Sequence, residues 1–162
     1  MIVADPSALI SLGTVDLHDT LFEEFDVHTT RTVVEELRAT AEYEDDHGEA
    51  ARNVLDALAD LEVHEPPDDW IESSRIDAGE GSCVQLAGDL DADFLITDDL
   101  RALPELQTAV EARVAISPIV LKAFVERDVL TRSEAGAKLE TMADGRDWLG
   151  APIYRRARHL FD

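Results

Sequence analysis

The sequence predicts an α/β protein of three layers (α/β/α), with a central, mainly parallel sheet between two layers of helices. The first observation is that short apolar runs alternate with segments of helical period along the chain. Strands that alternate with helices form parallel sheets covered on both faces. The second is that 162 residues with 45% hydrophobic content suffice for one domain with its own core. We therefore expect a single domain over residues 1–162.

Local patterns predict the elements of the first half. Residues 2–4 form an apolar run, and Pro6 suits the first position of a helix that Asp5 would cap. A second helix at 17–25 rests on the spacing of its apolar residues, and a short strand at 26–29 follows. This half is completed by a helix from about residue 32, a break over the acid-rich stretch 42–48, a helix at 49–59 and a weak strand at 61–64.

The second half contains the clearest buried strand. Residues 94–97, Phe-Leu-Ile-Thr, are followed by two aspartates. A helix at 77–90 precedes this strand, and Cys83 is one of its core residues. Beyond it, the pattern predicts a helix at 104–112, a strand at 114–116 and helices at 119–126, 133–143 and 153–161. We assign these last helices, within residues 117–162, to the same domain.

Net charge is the unusual property of this chain, because 36 acidic residues face only 14 basic ones, for a net charge of −22. An acidic surface adapted to a salt-rich cytosol, as in halophiles, explains this charge better than mimicry of a nucleic acid. At ~1 M salt the Debye length is about 3 Å, so the surface charges are largely screened. The same screening lets an acidic protein approach RNA, so the charge does not exclude RNA as a substrate.

Several classes of protein are disfavoured by what the sequence lacks. The one cysteine cannot form an internal disulfide. No apolar run approaches the ~18 residues of a membrane span, and the N-terminus lacks a secretory signal pattern. We therefore expect a cytoplasmic protein without a membrane partner. The phosphate-binding loop, dinucleotide fingerprint, nucleophile elbow and zinc-protease motif are absent from the sequence. The five histidines are scattered, and we assign them to the surface or to packing.

Each of the candidate acids has a structural explanation when it is taken singly. Asp5 could only cap the first helix, and Asp98 or Asp99 could only cap the helix that follows them. Glu80 has the capping-box spacing from the aspartate three residues before it. Glu36 could lie at the rim of an amphipathic helix.

The placement of these acids favours a shared site. Asp5 and the pair Asp98-Asp99 follow the carboxyl ends of two apolar strands, the edge at which open parallel sheets bind ligands. Glu80 lies in the first turn of a helix whose N-terminus can face that edge. Crowded carboxylates raise one another's pKa values unless a cation neutralises them. Oxygen ligands without His or Cys suit Mg²⁺ or Mn²⁺, so this placement is consistent with a divalent-metal site.

Four segments, in order and spacing, resemble the motifs of the PIN domain (PilT N-terminus) family. Residues 3–10, Val-Ala-Asp-Pro-Ser-Ala-Leu-Ile, resemble its opening motif, and residues 33–37, Val-Val-Glu-Glu-Leu, its second acidic motif. Residues 77–87 are similar to its Gly-Glu helix start, and residues 95–99, Leu-Ile-Thr-Asp-Asp, to its last motif. The resemblance covers residues 1–116.

This resemblance implies a metal-dependent endoribonuclease, a hydrolase that cleaves single-stranded RNA with a water activated by Mg²⁺ or Mn²⁺. Carried over by position, the catalytic and metal-binding acids are Asp5, Glu36, Glu80 and Asp99, with Asp98 as a fifth candidate ligand and Ser7 and Thr97 as supporting hydroxyls. Many members are toxins of toxin–antitoxin pairs, and dimers are common, so a small antitoxin and a second copy of the chain are candidate partners. Two alternatives stay open: an inactive PIN-fold module that binds RNA or protein, and an RNA-maturation nuclease.

The candidates for RNA contact are arginines. Arg155, Arg156 and Arg158 form the basic cluster of the C-terminal segment, and Arg101 follows the last acidic motif. Arginine binds phosphate bidentately. Cations are equally favoured near a helix C-terminus, so both interpretations of the cluster stay open.

Overall fold

The computed structural model describes residues 1–66, 73–146, 148 and 150–162. Within these residues, five short strands form one parallel sheet. The strands are β1 (Ile2–Ala4), β2 (Val27–Thr30), β3 (Glu62–His64), β4 (Phe94–Ile96) and β5 (Arg113–Ala115). Each predicted strand is confirmed to within one residue at either end.

Helices connect the strands and continue beyond the last one. Those between strands are α1 (Pro6–Thr14), α2 (His18–Glu24), α3 (Arg31–Thr40), α4 (Asp46–Asp56), α5 (Ala78–Asp89) and α6 (Leu103–Ala109), with a 3₁₀ turn at Leu58–Asp60. The C-terminal helices are α7 (Ser117–Glu126), α8 (Arg132–Gly145) and α9 (Pro152–Arg158). In the part of the chain that the structure describes, no helix is long and apolar enough to cross a membrane.

The strand order β3-β2-β1-β4-β5 determines where a site can form. The chain builds outward from the central β1 through β2 and β3, then returns to place β4 and β5 on the other side of β1. The carboxyl ends of β1 and β4 therefore flank the topological switch point, where open parallel sheets bind ligands. Ala4 is paired with Ile96, so Asp5 and Thr97 leave the sheet side by side. The topology thus brings the first and last acidic motifs together.

Right-handed crossovers distribute the helices over both faces of the sheet. The connections from β1 to β3 place α1 and α4 on one face, where these two helices pack against each other. The connections from β3 to β5 run in the opposite direction and place α5 and α6 on the other face, where α5 packs against β1, β2 and β4. This arrangement is the predicted three-layer α/β/α fold.

The start of α4 differs from the prediction. The sequence predicts a break that includes Gly48, yet Gly48 lies in the first turn of α4, and its amide donates to the side chain of the N-cap Asp45 at 2.7 Å. A Cβ at position 48 would overlap the carbonyl oxygen of Tyr43. Glycine is therefore used here for a close approach within a helix. The same helix ends at Asp56, earlier than predicted, and continues into the 3₁₀ turn.

Two of the C-terminal helices, α7 and α8, pack against α1, which carries the first acidic motif, and α9 packs against α8. Arg146, just after α8, donates to the backbone oxygen of Ser7 and, through Nε, to Ser11 Oγ at 2.9 Å. Lys138 of α8 donates to the backbone oxygen of Val15 at 2.8 Å. These two side chains hold α8 along the whole length of α1.

Candidate metal centre

Asp5 lies between β1 and α1, and its position is tightly held. Its Oδ1 accepts hydrogen bonds from the amide of Ala8 at 3.0 Å and the hydroxyl of Ser7 at 2.8 Å, and the residue is 1% exposed. Its second oxygen, Oδ2, is buried and has no hydrogen-bond partner among the described residues. Buried polar atoms normally have a partner, so Asp5 Oδ2 fits a ligand other than the described residues.

Ser7 and Thr97 connect the two acidic strand ends. Ser7 Oγ donates to Asp5, accepts from the amide of Asp98 at 2.8 Å and lies 3.3 Å from Thr97 Oγ1. Thr97 Oγ1 accepts from the amide of Asp99 at 3.2 Å. The two hydroxyls predicted as supporting groups therefore set the position of the first motif relative to the last.

Asp98 and Asp99 have different surroundings. Asp98 is 4% exposed, and both of its carboxylate oxygens accept hydrogen bonds from Ser117, one from the amide at 2.8 Å and one from the hydroxyl at 2.5 Å. Asp99 is partly exposed, and its Oδ1 accepts from the amides of Arg101 and Ala102. Asp98 thus joins the end of β4 to the start of α7. These contacts favour a structural role for Asp98, and its assignment as a fifth ligand stays a prediction.

Glu36, on α3, reaches the start of α5 because Gly79 has no side chain. Its Oε1 accepts a hydrogen bond from the amide of Gly79 at 3.0 Å. A Cβ at position 79 would overlap the carboxylate of Glu36, with both Cδ and Oε1 only 2.8 Å away. The glycine of the Gly-Glu motif therefore makes room for the acid of another motif.

Glu80 is held by a capping box at the N-terminus of α5. Asp77 Oδ1 accepts from the amide of Glu80 at 2.9 Å, and Glu80 Oε2 accepts from the amide of Asp77 at 3.1 Å. The capping explanation is therefore correct, but it leaves the second carboxylate oxygen of Glu80 for another partner. Glu80 is 3% exposed.

Burial and mutual repulsion shift the titration of three of the acids. Burial raises the pKa of Asp5 to about 6, although the hydroxyls of Thr97 and Ser7 and an amide oppose the shift. Burial and the charges of Asp77 and Asp5 raise the pKa of Glu36 to about 7. Burial, with the charges of Asp77, Asp5 and Asp99, raises the pKa of Glu80 to about 8. Charges from other motifs thus contribute to two of these shifts, that of Asp5 to the shift of Glu36, and those of Asp5 and Asp99 to the shift of Glu80. A bound cation relieves repulsion of this kind.

The family of this chain follows from its match to a family model. A family model described as a PIN domain matches the chain over residues 1–162. The chain belongs to the PIN-domain family. PIN domains are in general nucleases and typically use divalent metal ions, so this chain has a nuclease fold. The match includes the C-terminal helices, which lie beyond the motifs recognised in the sequence. No curated protein matches the chain.

The motif acids of this PIN domain do not form a compact group of three ligand atoms among the described residues. Among the described residues, three ligand atoms lie within 4.8 Å of one another in one group, which consists of His28, Glu62 and His64. This group contains none of the four motif acids. Glu36 and Glu80 each accept a hydrogen bond from a backbone amide instead, and their negative charges favour separation. Mg²⁺ keeps several of its waters and binds few carboxylates directly, so acids spaced in this way suit its chemistry.

The four candidate arginines are all exposed: Arg101, Arg155, Arg156 and Arg158. Arg101 lies beside the acids, with Nε 3.9 Å from Asp99 Oδ1. Arg156 lines a groove of about 500 Å³ whose lining also includes Leu100, the residue after Asp99. Of the four, Arg101 therefore lies beside an acid of the last motif, and Arg156 lies in a groove that Leu100 also lines.

Sequence reasoning missed the roles of Gly79, Ser117 and Arg146. The signal for Gly79 was present, because it directly precedes Glu80 in a motif that was recognised. Ser117 and Arg146 carry no local signal, since their partners Asp98 and Ser7 lie 19 and 139 residues away in the sequence. Contacts of that kind appear only when the chain is folded.

Proposed function

We propose that this PIN domain is a metal-dependent endoribonuclease that hydrolyses the phosphodiester bonds of single-stranded RNA. The observation that carries the proposal is the buried Oδ2 of Asp5, which lies at the switch point of the sheet and lacks a hydrogen-bond partner among the described residues. Burying carboxylates that repel one another is costly. A module that only binds RNA has no use for this arrangement, whereas a metal-dependent nuclease requires it.

The donor set fits a hard divalent cation. Asp5, Glu36, Glu80 and Asp99 would hold Mg²⁺ or Mn²⁺, since all of their donors are carboxylate oxygens. When bound, such an ion polarises a water molecule and neutralises charge on the phosphoryl oxygens. The raised pKa values of Asp5, Glu36 and Glu80 support the fit, because a nearby cation favours the ionised carboxylates.

Glu36 and Glu80 are the groups suited to moving a proton. Each uses one oxygen for a backbone amide, Glu36 Oε1 for that of Gly79 and Glu80 Oε2 for that of Asp77. Glu36 Oε2 and Glu80 Oε1 can then face the attacking water. Each glutamate therefore keeps one oxygen that could accept a proton from that water.

The proposed path of the RNA runs from the acids toward α9. Arg101 would meet a phosphate next to the bond that is cleaved, and Arg156 a phosphate further along the groove. The apolar side chains that line the same groove, such as Leu100 and Ile153, offer surface for the faces of unpaired bases. A single-stranded RNA can present both phosphates and unstacked bases to this groove, so single-stranded RNA is favoured as the substrate over a duplex.

A role as the toxin of a toxin–antitoxin pair is the finer form of this proposal. A small antitoxin-like reading frame directly upstream of the gene would support the toxin. Its absence, together with cleavage confined to ribosomal or transfer RNA precursors, would favour an RNA-maturation nuclease instead.

The deciding experiment is a cleavage assay on a labelled single-stranded RNA in high salt with Mg²⁺ or Mn²⁺. We expect cleavage by the wild type, and a loss of about a hundredfold or more in the variants Asp5→Asn and Asp99→Asn, since each removes a charged oxygen from the ion's surroundings. Asp60→Asn removes the same charge from an exposed position on the 3₁₀ turn and should leave the rate unchanged.

The outcomes separate the alternatives. Cleavage that persists with a chelator, or that Asp5→Asn and Asp99→Asn retain, would contradict the metal mechanism. RNA that is bound by the wild type and never cut would favour the inactive binding module.

A further inference from the structure

Two histidines and a glutamate converge on the edge of the sheet, apart from the four motif acids. The Nδ1 atom of His28, on β2, lies 2.9 Å from Nε2 of His64, on β3. Glu62 Oε2 lies 3.3 Å from the former and 3.7 Å from the latter. The strand register explains this convergence, because His28 is paired with Glu62 and His64 lies two residues further along β3 on the same face.

The orientation of the His28 ring is set by a carboxylate. Its Nε2 lies 2.9 Å from Asp26 Oδ1, so the proton of the neutral ring is expected on Nε2, where it donates to the carboxylate. Nδ1 then carries the lone pair that faces His64 and Glu62. His28 is 4% exposed, so the ring is fixed in this orientation by its surroundings.

We propose that His28, His64 and Glu62 form a second metal site, which binds a transition-metal dication of the Zn²⁺ class. Three converging ligand atoms, two of imidazole and one of carboxylate, are a known donor set for Zn²⁺. A metal-bound histidine usually gives its other N–H to a carboxylate, which Asp26 supplies here. The fourth position is left for water, since Glu62 and His64 are 69% and 30% exposed at the rim.

The distances need only a small adjustment. Nitrogens that each lie about 2.0 Å from a tetrahedral ion are about 3.3 Å apart, whereas the two ring nitrogens are 2.9 Å apart without one. His64 and Glu62 belong to the exposed edge strand and can move outward, while the buried His28 stays in place.

This site is chemically distinct from the motif acids. Imidazole nitrogens favour Zn²⁺ and its neighbours, whereas the all-oxygen set favours Mg²⁺ or Mn²⁺. The proposal therefore does not depend on the nuclease function. A bound ion would join the edge strand β3 to β2. Because such an ion would bind only the folded state, it would raise the stability of the protein.

The test is a titration of the full chain with Co²⁺, a visible probe of Zn²⁺ sites, in the presence of excess Mg²⁺ to occupy the acids. We expect one equivalent of Co²⁺ to produce the strong visible absorption of a four-coordinate ion, Zn²⁺ to displace it, and Zn²⁺ to raise the melting temperature. His64→Gln should abolish the absorption and the shift in melting temperature. Asp26→Asn should weaken binding by about 10- to 100-fold through the orientation of His28.

His159→Gln is the matched control, because His159 also pairs with a carboxylate, Asp162, at 2.8 Å but lacks a second histidine in the same contact. That variant should bind Co²⁺ as the wild type does. Failure of the wild type to bind Co²⁺ or Zn²⁺ under these conditions would mean that the histidines only share a hydrogen bond. An unchanged spectrum in His64→Gln would overturn the proposal as well.

Discussion

At the scale of single residues, the position of one carboxylate depends on a missing side chain. Glu36 comes from α3 and contacts the first turn of α5 only because position 79 is glycine. The carboxylate is partly exposed and belongs to a flexible side chain, so a methyl group at position 79 would push it aside without disturbing the backbone. We therefore expect Gly79 to position Glu36 in the proposed site, without being required by the fold.

Gly79→Ala separates activity from stability. We expect RNA cleavage to fall by about 10- to 100-fold as Glu36 is displaced, while the free energy of unfolding stays the same or rises by up to about 1 kcal/mol, because alanine favours the helix. Cleavage rates and denaturant unfolding of the same preparation measure both. Gly88→Ala, on the same helix where a Cβ would meet no atom within 4 Å, should gain stability and keep its activity. Equal losses of activity in both variants would exclude the positioning role.

The raised pKa values of the acids predict how stability depends on pH without metal. In the unfolded chain these carboxyls lose their protons near their ordinary pKa values of 3.8 and 4.5, whereas the folded state keeps them to about 6 for Asp5, 7 for Glu36 and 8 for Glu80. Between about pH 4 and about pH 8 the folded state therefore binds more protons than the unfolded state. The contribution of these three carboxyls to the free energy of unfolding is full below about pH 4 and is lost as the pH rises to about 8.

Melting temperatures in chelator and in about 1 M salt, which screens the other surface charges, should therefore fall between about pH 5 and about pH 8.5. Glu80→Gln should show a smaller fall, since glutamine keeps the capping-box acceptor but has no charge. A curve for Glu80→Gln that superimposes on that of the wild type would show that Glu80 is not the source of the pH dependence.

At the scale of elements, the site depends on how helices are attached to the sheet. Ser7 links the end of β1 to the end of β4, and Asp98 links β4 to α7 through Ser117. Arg146, at the end of α8, donates to the backbone of Ser7 from outside. The C-terminal helices, which hold none of the predicted acids, thereby support the segment that carries Asp5.

Arg146→Gln tests that support. The guanidinium satisfies two oxygens of α1, one of Ser7 and one of Ser11, so its loss should lower the free energy of unfolding by about 1–3 kcal/mol. Denaturant unfolding measures this change. Arg132 lies at the other end of α8, and the one hydrogen bond of its side chain to the described residues is an exposed one to the backbone of Asp162. Arg132→Gln should therefore cost less than about 0.5 kcal/mol. Equal effects at the two ends would show that α8 is not held through Arg146.

At the scale of the whole molecule, the net charge of −22 opposes compactness and the approach of RNA. Salt should therefore stabilise the protein. We expect the melting temperature to rise by several degrees between about 0.1 M and about 1 M KCl, where the Debye length falls from about 10 to about 3 Å. Sucrose also stabilises proteins, but through exclusion from the surface rather than through screening of charge. We therefore expect KCl to raise the melting temperature at lower concentrations than sucrose does. A melting temperature that falls with KCl would contradict the interpretation of the surface as salt-adapted.

Much of the fold could be predicted because its signals are local. The apolar runs at β1 and β4 and the caps at Asp5 and Asp77 lie within a few residues of the elements that they define. The prediction of a break at Gly48 was wrong because the start of α4 depends on a contact with Tyr43 rather than on the helix propensity of glycine. The sequence predicts no contact between His28 and His64, because their proximity depends on strand order, which local patterns do not encode.

By itself, the sequence determined the succession of strands and helices along the chain, the family and the identity of the candidate acids, since each of these depends on segments of a few residues. Only the tertiary structure decided that Asp98 is bonded to Ser117 while Asp99 stays partly exposed, and that Gly79 makes room for Glu36. It also decided that two distant histidines meet beside Glu62. The physical reason is common to all three: they are contacts between segments that the sheet topology brings together from far apart in the chain.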